Sequence, residues 1–142
     1  MGLDTSHDCF HGAYSSFARW RHMIAEVAGY VIWKVEMDFG LQDTIMLDWG
    51  HTSELNFMGE WEKSPDDPLL VLFCHSDCEG VIAPEEGKLL ADALENLLPN
   101  INALEDQGGG HILKRGGYSE VTQKFIAGLR EAASKNEDVE FY

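Results

Sequence analysis

Cysteines, secretion signals and long hydrophobic runs are scarce or missing in this sequence. The three cysteines, Cys9, Cys74 and Cys78, are an odd number, and no basic, then apolar, then small-residue segment follows Met1. Reduced thiols in a cytoplasm are therefore expected, rather than disulfides in a secreted protein. No uncharged apolar run is long enough to span a bilayer, so no membrane partner is expected.

The chain is nevertheless rich enough in apolar residues to fold. Hydrophobic residues make up 44% of the 142 positions, which excludes a disordered chain and suffices for one hydrophobic core. We therefore expect a single globular domain that covers residues 1–142.

Basic residues are scarce in the middle of the chain. Between Glu36 and His111 only Lys63 and Lys88 oppose 17 acidic residues, so this segment alone accounts for the net charge of −15. Such a surface repels phosphate backbones, so a nucleic-acid polymer is not an expected partner. A small anion is not excluded, a basic protein is a further candidate partner, and the sequence leaves a homo-oligomer open.

Apolar patterns predict an α/β fold with a small sheet. The run from Leu69 to Cys74 shows no alternation, which favours a central strand buried on both faces at about 69–74. Periodicity of 3.6 predicts three main helices at about 13–28, 84–98 and 119–134, the second of which should end before Pro99. An N-terminal polar arm, predicted to be a loop, precedes the first helix.

Two further segments have strand patterns. Alternation from Val31 to Phe39 predicts a half-buried strand that ends at Gly40, and Val139 to Tyr142 is a candidate for a short terminal strand.

Ionisable residues cluster directly after the predicted central strand and in the arm. The turn from His75 to Gly80 follows the strand, where open α/β sheets usually hold ligands. We expect the arm and this turn to line one pocket, with Arg21 and Glu86 at its wall, because separate burial would leave polar groups without partners. The candidate ligand-binding residues are Asp4, His7, Asp8, His11, Arg21, His75, Asp77, Glu79, His111, Lys114 and Arg115.

Two of these positions have competing interpretations. Arg21 lies beside the apolar face of the first helix and is either a snorkelling side chain or an anion clamp. Glu86 either caps the second helix or supplies a carboxylate to the site.

A zinc site is an alternative use of the same residues. His7, Cys9, His75 and Cys78 offer the imidazole and thiolate ligands that zinc prefers, although their spacing matches no standard zinc module. Zinc would lower the pKa of a bound water, and the general base would be Asp77, Glu79 or Glu86. Against this stands a purely structural role, with Asx turns, packed thiols and histidines bonded to backbone.

The same segments resemble a known family. GLDTSHDCFHGAYSSF at residues 2–17, RWR at 19–21, HSDCEG at 75–80 and VEFY at 139–142 are similar to small bacteriophage and bacterial proteins with no established activity. The resemblance implies a phage or prophage origin and the cytoplasm of a bacterial host, and it transfers no catalytic residue. Small phage proteins of this kind often bind or cleave a nucleotide-derived immune signal.

Three functional hypotheses follow, and binding without catalysis is preferred. In the first, the protein sequesters a small polar, nucleotide-like molecule whose negative groups meet Arg21, Lys114 and Arg115. The second is a zinc-dependent hydrolase acting on such a molecule. The third is a protein-interaction module whose acidic middle docks on a basic host protein.

Overall fold

The computed structural model describes residues 2–29, 31–37, 40–46, 68–73, 75–76, 78–106, 111–113 and 116–142. Its helices are α1 (Tyr14–Val27), α2 (Leu70–Phe73), α3 (Pro84–Asp106) and α4 (Tyr118–Ser134), and a 3-10 turn covers Ser6–Asp8. Its strands are β1 (Gly2–Asp4), β2 (His11–Ala13), β3 (Val31–Met37), β4 (Gly40–Met46), β5 (Val81–Ile82), β6 (His111–Leu113), β7 (Gly116–Gly117) and β8 (Val139–Glu140). Among the described residues, no helix combines the length and apolar character needed to cross a bilayer.

The predicted central strand is wrong, because Leu70–Phe73 forms the short helix α2. The backbone N–H of Leu72 and that of Phe73 both donate to the carbonyl of Leu69, each at 3.0 Å, which is helical rather than ladder bonding. The run is nevertheless buried: Leu70, Leu72 and Phe73 belong to the core. An apolar run without alternation predicts burial on all sides, and a strand and a buried helical turn satisfy that equally.

The three long helices lie where the 3.6 periodicity places apolar faces, and one of them ends later than predicted. α1 and α4 agree with the predicted ranges 13–28 and 119–134 to within about one residue. α3 instead continues through Pro99 to Asp106. Proline removes one helical hydrogen bond, but Ile101 in the following turn is fully buried, and this packing favours continuation of the helix.

The two ends of the chain meet in one antiparallel arrangement, here called the terminal sheet. Its order is β2, β1, residues 139–142 and β5. β1 pairs with β2 and β5 pairs with β8, while a bridge between Thr5 and Phe141 joins the two pairs. Asp4 and Tyr142 complete the junction, because each donates its backbone N–H to the other's carbonyl, at 3.0 and 2.9 Å.

An aromatic cluster beneath the terminal sheet ties it to the helices. Phe141 meets Phe17 of α1 edge-on at 5.9 Å between ring centroids, and Trp20 lies 4.7 Å from Phe125 of α4. These rings are almost completely buried, and each contributes stabilisation through apolar area and ring geometry.

A separate antiparallel hairpin, β3 with β4, pairs Val31 with Met46 and Met37 with Gly40.

The indole of Trp20 carries one polar group into this core. Its Nε1–H donates to the hydroxyl of Thr122 at 2.9 Å, and that hydroxyl donates to the carbonyl of Tyr118 at 2.7 Å. Thr122 is 0% exposed, so water has no access to replace either bond.

Replacing Thr122 by Val should destabilise the fold even though the two side chains have nearly the same shape. The indole N–H then lacks a partner in the core, at a cost of about 1–3 kcal/mol. Urea unfolding measured by tryptophan fluorescence gives the free energy of unfolding. Thr122→Ser retains the hydroxyl and removes only the buried methyl group, so it reports the cost of that methyl separately. A Val variant as stable as the unmodified protein would contradict this role for the bond.

Candidate functional site

The N-terminal arm is an ordered hairpin rather than the predicted loop. Asp4 pairs with His11 and Gly2 with Ala13. Thr5 closes the turn: its backbone N–H donates to the carbonyl of Phe10 at 3.1 Å, and its hydroxyl accepts from the N–H of Phe10 at 2.9 Å. These bonds between Thr5 and Phe10 enclose only four residues, and they hold the turn in one conformation.

His11 lies between two carboxylates on the surface of this hairpin. Its Nδ1 is 2.7 Å from Asp4 Oδ1 and its Nε2 is 2.7 Å from Asp8 Oδ1. Both contacts are hydrogen bonds only when both ring nitrogens carry a proton, and a ring in that state is a cation. The two carboxylates therefore lie on either side of a position that suits a positive charge. Lys124 of α4 lies 3.4 Å from the same oxygen of Asp8. The hydrogen bond from His11 and the charge of Lys124 hold the pKa of Asp8 below its usual value.

His7 forms a second chain of contacts on the other side of the turn. Its Nε2 is 3.0 Å from Glu137 Oε1, and its Nδ1 is 2.8 Å from the hydroxyl of Ser6. The Ser6 hydroxyl also accepts the backbone N–H of Glu140 at 2.8 Å. The contact with His7 keeps the pKa of Glu137 below its usual value. These bonds fasten the turn to the segment that follows α4.

The backbone of the turn is folded tightly against α4. His7 and Asp8 both have a φ of 57°, a left-handed conformation in which histidine and aspartate are more frequent than most residues. A Cβ added to Gly128 of α4 would fall against the thiol of Cys9 and only 2.7 Å from the carbonyl oxygen of His7. Glycine at this position therefore permits the arm to touch the helix backbone.

The zinc hypothesis does not fit this arrangement. Cys9 is 1% exposed, and burial raises the pKa of its thiol to about 12, whereas zinc binds the thiolate. Cys78 is exposed, and its sulfur lies 3.4 Å from the hydroxyl oxygen of Ser76. Within the described parts of the chain, which include all four predicted ligands, no three His, Cys, Asp or Glu side chains form a group that could hold a metal ion.

Arg21 bonds to the chain around α2. Its Nη1 donates to the carbonyl of His75 at 2.7 Å and to that of Leu72 at 3.3 Å. The guanidinium also lies over the ring of Phe17, 4.6 Å from the centroid. A cation at the carboxyl end of a helical turn satisfies carbonyls that the turn leaves without partners.

The turn after α2 is held by its own histidine. The ring nitrogens of His75 lie 2.7 Å from the carbonyl of Ser76 and 3.1 Å from that of Val81. The ring also packs on Phe141, with 4.0 Å between centroids. His75 is therefore bonded to backbone, as the structural interpretation of these histidines predicts.

The remaining predicted site residues divide between capping, exposure and undescribed positions. Glu86 accepts the backbone N–H of Ala83 at 3.4 Å, which is a helix-capping contact at the start of α3. Glu79 is exposed. Asp77, Lys114 and Arg115 lie outside the described residues, and His111 is described only as backbone in β6.

The arm and the described residues of the His75 turn contact the same segment from two sides. Phe141 donates its backbone N–H to the carbonyl of Gly80 at 2.9 Å on one side and bridges to Thr5 on the other. Both segments therefore contact the carboxyl-terminal strand, and a pocket shared between them stays a prediction. Sequence analysis gave this strand no functional part, and neither Glu137 nor Glu140 was a candidate. No short-range signal links these residues to an arm 130 or more positions away.

Pairing in the terminal sheet sorts its side chains onto two faces. Leu3, Thr5, Ile82, Val139 and Phe141 point inward and are buried. The opposite side, here called the outer face, is exposed. It carries His11, Asp4, Tyr142, Glu140 and Val81.

Comparison of the chain with protein-family models, curated proteins and solved structures finds no match. Two of the five residues named on the outer face, Asp4 and Glu140, carry carboxylates, and none of the five carries a permanent positive charge.

Substitution of Gly128 by Ala should destabilise the protein, although alanine is the better helix former by about 1 kcal/mol. The new methyl group collides with the arm, and overpacking of this kind costs about 1–3 kcal/mol. Gly87→Ala in α3 is the matched control, because its Cβ would lie 3.4 Å from Leu129 Cδ2 and 3.6 Å from Ile82 Cγ2, which are ordinary contacts.

Chemical denaturation of both glycine variants measures the difference. Gly87→Ala should leave the free energy of unfolding unchanged or raise it, while Gly128→Ala lowers it. An increase in stability for Gly128→Ala would show that the arm does not rest on α4 as described.

Lowering the pH should weaken the arm because Asp8 and Glu137 have depressed pKa values in the folded state. Their contribution to stability is complete above the unfolded-state values of about 3.9 and 4.3, and it is lost as the pH falls through the lower folded values. Carbon-13 NMR of the side-chain carboxyls follows each group directly.

The His11→Ala variant tests the cause of the shift at Asp8. In this variant the pKa of Asp8 should rise toward the ordinary range. The pKa of Glu137, which depends on His7, should stay depressed. If Asp8 titrates identically with and without His11, the 2.7 Å contact does not exist in solution.

Proposed function

We propose that the protein is a binding module that uses the outer face to hold a positively charged segment of a partner protein. The observation that carries this proposal is the register of the terminal sheet, which turns the carboxylates of Asp4 and Glu140 outward while the alternate residues are buried. Asp8 adjoins them through His11.

The negative charge of the chain favours a basic partner both at long range and in direct contact. A net charge of −15 attracts basic proteins at long range and raises the rate of encounter. At short range, the carboxylates of Asp4 and Asp8 each lie 2.7 Å from a ring nitrogen of His11. Lysine or arginine of a partner would approach neighbouring carboxylates at a similar distance.

Sequestration of a nucleotide-like molecule has less support. It depends on cationic groups to meet phosphate, and Arg21 donates to the carbonyls of Leu72 and His75. The other two cations of that hypothesis, Lys114 and Arg115, lie outside the described residues. If the bacteriophage origin implied by the sequence holds, the partner is a basic protein of the bacterial host.

Fluorescence anisotropy with two labelled peptides tests the proposal. A lysine–glycine peptide should bind, with an affinity that falls steeply as salt is added, and a glutamate–glycine peptide of equal length should not. The double variant Asp4→Asn/Glu140→Gln should weaken binding of the lysine peptide about fivefold, as expected for two exposed ion pairs.

A charge-matched variant separates a site from general attraction. Glu85→Gln/Glu120→Gln changes the net charge by the same amount at exposed positions of α3 and α4, and it should retain most of the affinity. Equal weakening by both double variants, or no binding of the lysine peptide at any salt concentration, would refute the outer face as the site.

A further inference from the structure

The outer face also holds exposed apolar side chains. The described residues include three exposed large hydrophobic residues: Val81 at 49%, Leu89 at 58% and Tyr142 at 63% of their maximum accessible area. Two of them, Val81 and Tyr142, lie in the terminal sheet, whereas Leu89 lies on α3. Single exposed apolar residues are common on protein surfaces, so the position of this pair is the informative point.

The register places the pair among the carboxylates. Val81 pairs directly with Glu140, and Tyr142, two residues further along the same strand, points to the same face. On its other side Tyr142 is joined to Asp4 by two backbone hydrogen bonds. Each apolar side chain therefore has an acidic residue as a cross-strand neighbour.

We infer that the partner segment is not merely basic but combines basic residues with one large apolar residue, which packs on Tyr142 and Val81. This inference rests on the proposed function and adds the composition of the segment. Tyrosine is enriched at the energetic centres of interfaces, where a surrounding polar rim excludes water. Here Asp4 and Glu140 form the rim, and they select cations on either side of the apolar residue.

A second copy of the chain is the competing occupant of this face. Two such faces in contact would bring Asp4 and Glu140 of one chain toward the same carboxylates of the other, and like charges at an interface oppose association. A basic segment from another protein meets no such penalty.

Two peptides with equal numbers of lysines test the inference. One carries a central leucine and the other a central serine, and both are titrated with the protein at moderate salt. The leucine peptide should bind the unmodified protein about tenfold more tightly. Tyr142→Ala should abolish that preference without affecting the serine peptide. Leu89→Ala, which removes the exposed apolar residue of α3, should preserve it.

The outcomes distinguish this inference from the function on which it rests. Equal binding of the two peptides by the unmodified protein would overturn the apolar contact and leave the acidic binding function intact. Failure of both peptides to bind would overturn the proposed function itself. Self-association in sedimentation velocity that Tyr142→Ala removes would identify a second copy as the occupant and overturn the inference.

Discussion

The segment Val139–Tyr142 is the element on which the rest of the described structure depends. Successive backbone N–H groups of this segment point to opposite sides. The N–H of Phe141 donates to the carbonyl of Gly80, and the N–H of Tyr142 donates to the carbonyl of Asp4. Its alternate side chains enter the core, where Phe141 touches both Phe17 and His75. One extended segment therefore joins the arm, the turn after α2 and α1. Without it, Asp4 of the arm and Gly80 of the turn would lack these backbone partners.

The arm shows how polar side chains can complete a ladder that the backbone leaves unfinished. Beyond Thr5 the chain leaves the strand for a tight turn, and the hydroxyl of Ser6 takes the N–H of Glu140 in place of a backbone carbonyl. The left-handed residues His7 and Asp8 then return the chain toward α4, where Gly128 leaves room for it. A conformation of this kind persists only where surrounding contacts determine it.

Sequence patterns predict the helices well because a helical face is a local property. Phe17, Trp20 and Ile24 recur at helical spacing and are fully buried in α1. The patterns fail where packing decides: the run at 69–74 gives no information on its own conformation, and Pro99 marks a helix end that packing of Ile101 overrides.

Prediction of the site follows the same division. The clusters at 4–11 and 75–80 are evident from composition, and both contact the carboxyl-terminal strand. Their bonding partners are not evident, because Glu137 lies 130 positions from His7 and Glu140 lies 134 positions from Ser6. Arg21 donates to the carbonyl of Leu72, which lies in the helical turn formed by residues 70–73. The role of Arg21 therefore depends on the conformation of this turn, which the sequence does not predict.

A division of labour between backbone and side chains bears on function. Asp4 and Tyr142 are positioned by their main-chain N–H and C=O groups, so the fold does not require the Tyr142 ring or a strong bond from the Asp4 carboxylate. Exposed ion pairs such as that between Asp4 and His11 contribute little to stability, typically about 0–1 kcal/mol. The outer face can therefore change in charge and apolar character at small cost to folding, which makes it the surface of the terminal sheet where binding can be tuned separately from stability.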